Sequence, residues 1–381
     1  MNTPRTARTP AVLLACAALL LGSAAATPPA QAASTGSTTE GLAYVALGDS
    51  YSAGYGLQPL AGQPVPGCAQ SAQDYPHQLA AALHLDLTDA ACSGALTANI
   101  TTTAQNTGQG TAPPQDAALS SSTRIVTLTI GGNDLGFTQI ATYCAAASAN
   151  GPLLLHLNES DCRSHYTAPG PDNLQDDLDT TVSPDITAVL AAIRTRAPHA
   201  KVFVLGYPAL APDTADTPAG GCFRPILGYP PPPDGYPFTN TDVPFLLQTE
   251  QSLDDAIRTD TLAAGDTFVS TLPASLTHTP CAASTQPPGA PWINGLSLAS
   301  LLPPRLQPGA LHPDAAGIAY LTTQLTATVK NAFPPKRAHA IAPAARHSFG
   351  LALALALVAA TAGAGAVLLL RRRTRTHRAQ R

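Results

Sequence analysis

Aromatic and charged side chains are scarce in this 381-residue chain, which has a single tryptophan, Trp292. With that one indole, no carbohydrate-binding aromatic cluster stands out. Basic residues are scarcest in the body of the chain: residues 40–333 hold nine Lys and Arg against all 24 Asp and Glu, a net charge of −15. So acidic a body repels phosphate backbones, which excludes nucleic acid as a partner. No Cys-x-x-Cys pair occurs, which speaks against zinc, and His156 and His165 flank Asp161 without metal-site spacing. Internal repeats and hairpin signals are also missing, which removes repeat arrays and points away from an all-β fold.

The two ends are not domain material. Arg5 and Arg8 precede an apolar run over 11–21, and Ala30-Gln31-Ala32 follows. Basic, apolar and small-residue regions in that order predict a secretory signal over 1–32. A lipoprotein signal at Cys16 is the alternative, but the apolar run continues past it. Residues 33–40 form a Ser/Thr/Gly spacer. At the other end, 349–370 is 22 residues without a charge, long enough at ~1.5 Å per residue to cross a hydrocarbon core of ~30 Å. Arg371-Arg372-Arg373 opens a basic tail over 371–381 that the positive-inside bias places in the cytoplasm. Residues 334–348 read as a Pro/Ala-rich linker, and no LPxTG-like sorting motif precedes the span. The expectation is an exported domain over 41–333, held on the outer face of the cell membrane by its own transmembrane helix.

Six cysteines remain once the signal is removed: Cys68, Cys92, Cys144, Cys162, Cys222 and Cys281. An even number in an exported protein argues for disulfides, although six cysteines permit 15 pairings.

Short apolar runs alternate with helical patterns along the domain. Residues 42–47, 85–90, 124–130, 201–205 and 267–269 read as strands. Asp74 before Tyr75-Pro76 predicts an N-cap and a first helix, and further helices are expected in the second half of 174–196, over 243–264 and over 314–333. Residues 99–122 offer little to bury, and 207–240 is a Pro-rich excursion. This alternation predicts an α/β domain with a parallel sheet.

In such sheets the working residues sit at the carboxyl ends of strands. Gly48-Asp49-Ser50 ends the first strand and puts a hydroxyl on a tight turn, where Oγ is exposed and its own N–H can face an oxyanion. A mobile Ser/Gly loop is the plain alternative for that stretch taken alone. Gly94 after the second strand brings an N–H without a Cβ, and Asn133 after the third offers an Nδ2 donor; singly they read equally as a turn glycine and a capping asparagine. A base is then needed. Among ten histidines, His312 stands out because Pro313 at the entrance of the last helix turns its imidazole off the helix N-terminus.

Taken in order, Gly48-Asp49-Ser50, Gly94, Gly131-Gly132-Asn133-Asp134 and His312-Pro313 resemble the four blocks of the SGNH (GDSL-type) hydrolases, in particular their actinobacterial secreted esterase and lipase branch. The resemblance spans about residues 41–333. It implies a flavodoxin-like three-layer α/β/α sandwich with Ser50 as nucleophile and His312 as general base and acid. It also implies an oxyanion hole from Ser50 N–H, Gly94 N–H and Asn133, and disulfides Cys68–Cys92, Cys144–Cys162 and Cys222–Cys281. Trp292-Ile293-Asn294-Gly295 resembles a stretch that this branch carries before its histidine, which places it near the acyl site. Many members carry Asp three residues before the histidine, where this chain has Gly309. The implied arrangement is therefore a Ser50–His312 dyad oriented by a main-chain carbonyl, at Gly309, with Asp314 as the competing third member. Asp314 is explained more simply by the dipole of the helix that it opens.

The function so implied is hydrolysis of lipid or small acyl esters through an acyl-Ser50 intermediate, with no metal or cofactor, by a monomer. Two alternatives stand beside it: a carbohydrate O-deacetylase or acyltransferase acting on surface glycans, and a surface scaffold without catalysis.

Overall fold

The run Ala43-Tyr44-Val45-Ala46-Leu47-Gly48 is buried along nearly its whole length, and a strand buried on both faces needs helices on both sides. The computed structural model of the protein describes residues 38–281 and 291–334. Strands β1 (Ala43–Gly48), β2 (Asp86–Asp89), β3 (Ile125–Thr129), β4 (Lys201–Leu205) and β5 (Thr267–Val269) form one sheet in the order β2-β1-β3-β4-β5. Every pairing is parallel. This is the flavodoxin-like order.

Side-chain alternation sorts the strands into two cores. Val45 and Leu47 of β1, with Val126 and Leu128 of β3, pack beneath helix α2 (Ser183–Arg196) and helix α3 (Asp242–Ala263). Tyr44, Ile125, Phe203 and Leu205 face the other way. They meet Leu79 and Leu83 of helix α1 (Tyr75–Leu83) and Ile318, Leu321, Leu325 and Val329 of helix α4 (Ala315–Ala332). The predicted caps are present: Asp74 accepts from His77 N at the head of α1, and Asp314 from Ala316 N and Gly317 N at the head of α4.

Two readings of the sequence are corrected. Short antiparallel pairs do exist, Gln105–Asn106 with Thr111–Ala112 and Leu298–Leu301 with Pro304–Leu306. They are too short and too exposed to leave an alternating apolar pattern. Helix also begins earlier than expected before α2, as Leu174–Asp177 followed by a π turn over Leu178–Val182. Pro184 cannot donate to Thr180, so the ladder of hydrogen bonds is already broken at that point.

The disulfides are Cys68–Cys92, Cys144–Cys162 and Cys222–Cys281. Closing loops of 24, 18 and 59 residues, each stabilises the domain by roughly 3–4.5 kcal/mol in the chain-entropy picture. The signal expected over 1–32, most of the 33–40 spacer, the linker beyond Pro334, the 349–370 span and the 371–381 tail lie outside the described residues. Among the described residues no helix is long and apolar enough to cross a membrane.

Candidate active site

β1 has β2 on one side and β3 on the other, so the chain reverses direction across the sheet between β1 and β3. A crevice opens at their carboxyl ends, the place where open α/β sheets bind ligands. Gly48 ends β1 at φ +135°, and a Cβ there would lie 2.6 Å from the carbonyl of Thr129. Only glycine lets β1 turn so close to β3. Gln115 fixes the turn from below, accepting from Gly48 N at 2.7 Å and donating to Gly48 O at 2.8 Å.

The turn brings Ser50 Oγ to 2.7 Å from His312 Nε2 across 262 positions of sequence. The other ring nitrogen, Nδ1, lies 2.8 Å from the carbonyl of Ala310. A carbonyl only accepts, so Nδ1 carries the proton and Nε2 is left as the acceptor for the Ser50 hydroxyl. Gly309 is not the orienting group. Its carbonyl accepts instead from His312 N at 3.0 Å and from Asn294 Nδ2 at 3.2 Å. With Leu311 in the left-handed region at φ +58°, the turn curls so that the carbonyl two residues before His312 meets the ring. Asp314 points away, its Oδ1 accepting from Ala316 N at 2.8 Å and Gly317 N at 2.9 Å. Asp314→Asn is accordingly expected to leave kcat within about twofold, whereas Asp314→Ala lowers stability by about 1 kcal/mol. Steady-state kinetics and thermal melts on the two variants check this.

Burial drives the His312 pKa down to about 4, and the Ala310 carbonyl offsets only part of that effect. The ring is thus neutral throughout the neutral range, as a proton acceptor must be. The base form is lost only as pH falls through the depressed value. The acid limb of kcat/KM is expected well below the ordinary histidine value of ~6.5. A limb at or above 6.5 would contradict the buried, carbonyl-held ring.

Asn133 Nδ2 donates to the carbonyl of Ala95 at 3.0 Å, which fixes the plane of its amide and leaves a second N–H. Asp134 ties the Asn133 loop to the Gly94 loop by accepting from Thr97 N at 3.0 Å and Thr97 Oγ1 at 2.6 Å. Ser50, Gly94, Asn133 and His312 line one cavity of about 420 Å³. Much of the remaining wall is apolar, including Phe137, Leu210, Leu253, Leu296 and Leu306. Polar side chains line it as well, Asp254 and Gln307 among them, and burial pushes the Glu250 carboxyl up to about 8.

Three supporting residues were given no role by sequence reasoning. Asp49 Oδ1 accepts from Tyr51 N and Thr129 Oγ1, both at 2.9 Å, and Asp49 Oδ2 accepts from Tyr207 OH. The Tyr207 hydroxyl in turn accepts from Gly132 N at 3.1 Å, so Asp49 holds the Asn133 loop through a tyrosine. Tyr207 lies two residues past the end of β4, and the same strand-end rule that marked Gly94 and Asn133 marks it too. Gln115, in a stretch that offered little to bury, completes the set, whereas Asn294 lies in the 292–295 stretch that the sequence singled out. Asn294 Nδ2 bonds both Gly309 O and His312 O at 3.2 Å. The 292–295 stretch thus braces the histidine turn and does not line the cavity.

A doubly covered, flavodoxin-like parallel sheet with a serine–histidine pair and amide donors at its switch point defines a hydrolase of the serine-nucleophile kind. The chain belongs to the GDSL-like Lipase/Acylhydrolase family, which it matches over residues 46–319, and it is a carboxylic ester hydrolase of the actinobacterial SGNH type. It is 36% identical over 311 residues to Lipase 2 of Streptomyces coelicolor, covering 81% of this chain and 91% of that one. Among solved structures it is similar to the extracellular lipase of Streptomyces rimosus, with TM-score 0.56, 25% identity, and 74% of this chain and 98% of that one covered. Phospholipase A1 of Streptomyces albidoflavus matches with TM-score 0.54 and 25% identity, over 76% of this chain and 99% of that one.

Proposed function

We propose that this protein is an exported esterase or lipase, anchored in the cell membrane by its C-terminal segment, that acts on acyl esters of lipids through an acyl-Ser50 intermediate. The observation that carries the reading is the Ser50 Oγ–His312 Nε2 contact of 2.7 Å, with Nδ1 held by a main-chain carbonyl, at a cavity with largely apolar walls. In this mechanism His312 Nε2 takes the hydroxyl proton as Ser50 Oγ attacks the ester carbonyl carbon. Negative charge then develops on the carbonyl oxygen, where Ser50 N–H, Gly94 N–H and the second Asn133 N–H stabilise it. The alcohol leaves with the proton from His312. Water, deprotonated by the same nitrogen, cleaves the acyl-enzyme and restores both residues.

Leucine-rich walls and a Glu250 that keeps its proton at neutral pH suit an uncharged acyl chain. The solved relatives are called a lipase and a phospholipase A1, and lipid esters fit both names. The glycan alternative gains nothing from the indole. Trp292 is stacked between His278 and Tyr320, at ring-centroid distances of 3.7 and 4.2 Å, away from the cavity walls. Export and anchoring rest on the leader pattern over 1–32, the uncharged 349–370 segment with its basic flank, and three disulfides.

The test is a chain-length profile of nitrophenyl esters from acetate to palmitate, run beside acetylated glycans, together with fractionation of cells. Faster turnover of acyl esters than of acetylated glycans, with the full chain in the membrane fraction, is expected. A preference for glycan acetate would overturn the substrate class, and soluble protein ending before residue 349 would overturn the anchor.

A further inference from the structure

On another part of the molecule, the head of α1 and the end of β2 bring two carboxylates and an imidazole together. Asp74 Oδ1 accepts from His77 N at 2.8 Å and lies 2.7 Å from His77 Nδ1. Asp89 Oδ2 lies 3.7 Å from that same nitrogen. One donor atom from each residue lies within 4.8 Å of the other two. We propose that Asp74, His77 and Asp89 form a binding site for a divalent first-row transition cation, with zinc as the representative ion.

The carboxylate oxygens carry the argument. One oxygen of each acid already has a backbone partner: Asp74 Oδ1 accepts from His77 N, and Asp89 Oδ1 from Ala91 N at 3.0 Å. The second oxygen of each is buried without a donor from any other residue, the two carboxyls lying within hydrogen-bond reach of each other. The Asp74 and Asp89 side chains are 0% and 4% exposed. Two such oxygens beside one imidazole are costly unless a shared proton or a positive charge lies among them.

Gln70 is a separate observation. Its Nε2 donates to Ala91 O at 3.0 Å, which fixes the amide plane and turns Oε1 the other way. That oxygen is also buried and unpartnered, on a residue only 1% exposed. Gln70, His77 and Asp89 line a common cavity of about 620 Å³ that gives an ion a route in.

Spacing and donor chemistry select the ion. First-row cations hold nitrogen and oxygen ligands at ~2.0–2.2 Å, which sets neighbouring ligands roughly 3–3.6 Å apart. The 3.7 Å separation of His77 from Asp89 lies at the upper edge of that range, and the 2.7 Å hydrogen bond from Asp74 to His77 lengthens into it when the ion replaces the proton between them. An imidazole ligand directs the site away from calcium and magnesium, which take oxygen, toward zinc and its neighbours. The missing Cys-x-x-Cys spacing bears only on cysteine-bound zinc, and this donor set contains no sulfur. Asp74 also packs against the Ser50 loop, since a Cβ on Gly54 would meet Asp74 Cβ at 2.8 Å. Asp89 leads through Cys92 into the Gly94 loop. An ion here fastens α1 to β2 beneath both loops and takes no part in the ester chemistry.

The experiment titrates the chelator-stripped full chain with zinc chloride by calorimetry and by thermal melts. One ion per chain is expected, with Tm raised by about 4 °C at a hundredfold excess over Kd and kcat on a soluble ester little changed. His77→Ala alters a ring about one-third exposed, and Asp89→Asn is isosteric and keeps the Ala91 contact. Each should weaken zinc at least tenfold, and calcium chloride should give no shift. Zinc binding that survives both substitutions would assign the ion to other histidines and overturn the proposal. So would a wild-type chain that ignores zinc, the two acids then sharing a proton, or one that responds to calcium alone.

Discussion

Ser50→Ala is expected to lower kcat/KM by about 10⁴–10⁶, with Tm and KM for a soluble ester little changed. The size of the effect follows from the absence of a substitute. Ser52, the nearest other hydroxyl in the turn, is fully buried and engaged with Leu47 O at 3.0 Å, Tyr75 OH at 2.6 Å and Thr129 Oγ1 at 2.7 Å. It cannot reach the cavity without breaking β1 from β3. His312→Ala alone should cost about as much as Ser50→Ala, and the double variant no more than either, because the two groups act as one unit. What activity remains comes from the oxyanion donors and from substrate binding. Additive losses in the double variant would contradict a working dyad.

Asn133→Ala should lower kcat by about 10²–10³ and leave KM nearly unmoved. The amide is held by the Ala95 carbonyl at 3.0 Å, and its loop is tethered through Asp134 to Thr97 and through Gly132 to Tyr207. A donor held in advance toward the position of the oxyanion acts in the transition state more than in the ground state, so the loss falls on kcat. Tyr207→Phe, which removes the Asp49–Gly132 link but keeps the ring, should give a smaller loss of the same kind. A rise in KM at unchanged kcat for Asn133→Ala would place the amide on the substrate instead.

Strands that are buried on both faces announce themselves by continuous apolar runs, and β1, β3 and β4 lie where their residues suggested. Caps were equally legible, because Asp74 and Asp314 act on backbone only two or three positions away. The pairing of cysteines needed the family resemblance, since residue spacing left every connectivity open. What sequence could not specify is which atoms meet after the chain has folded. Choosing Ala310 over Gly309 depends on the positive φ of Leu311, a backbone state that leucine does not advertise. The Asp49–Tyr207 contact joins residues 158 positions apart, and Gln115 reaches Gly48 across 67. Such polar ties have no periodicity to reveal them.

The central claim, that Ser50 is the nucleophile paired with His312, is tested most directly by covalent labelling. The full chain is treated with a fluorophosphonate that traps serine nucleophiles, then digested and mapped by mass spectrometry. One adduct per chain on the peptide containing Ser50, formed in step with loss of activity and absent from His312→Ala, is the predicted result. Complete inactivation with the adduct on another residue, or full activity with Ser50 labelled, would contradict the account.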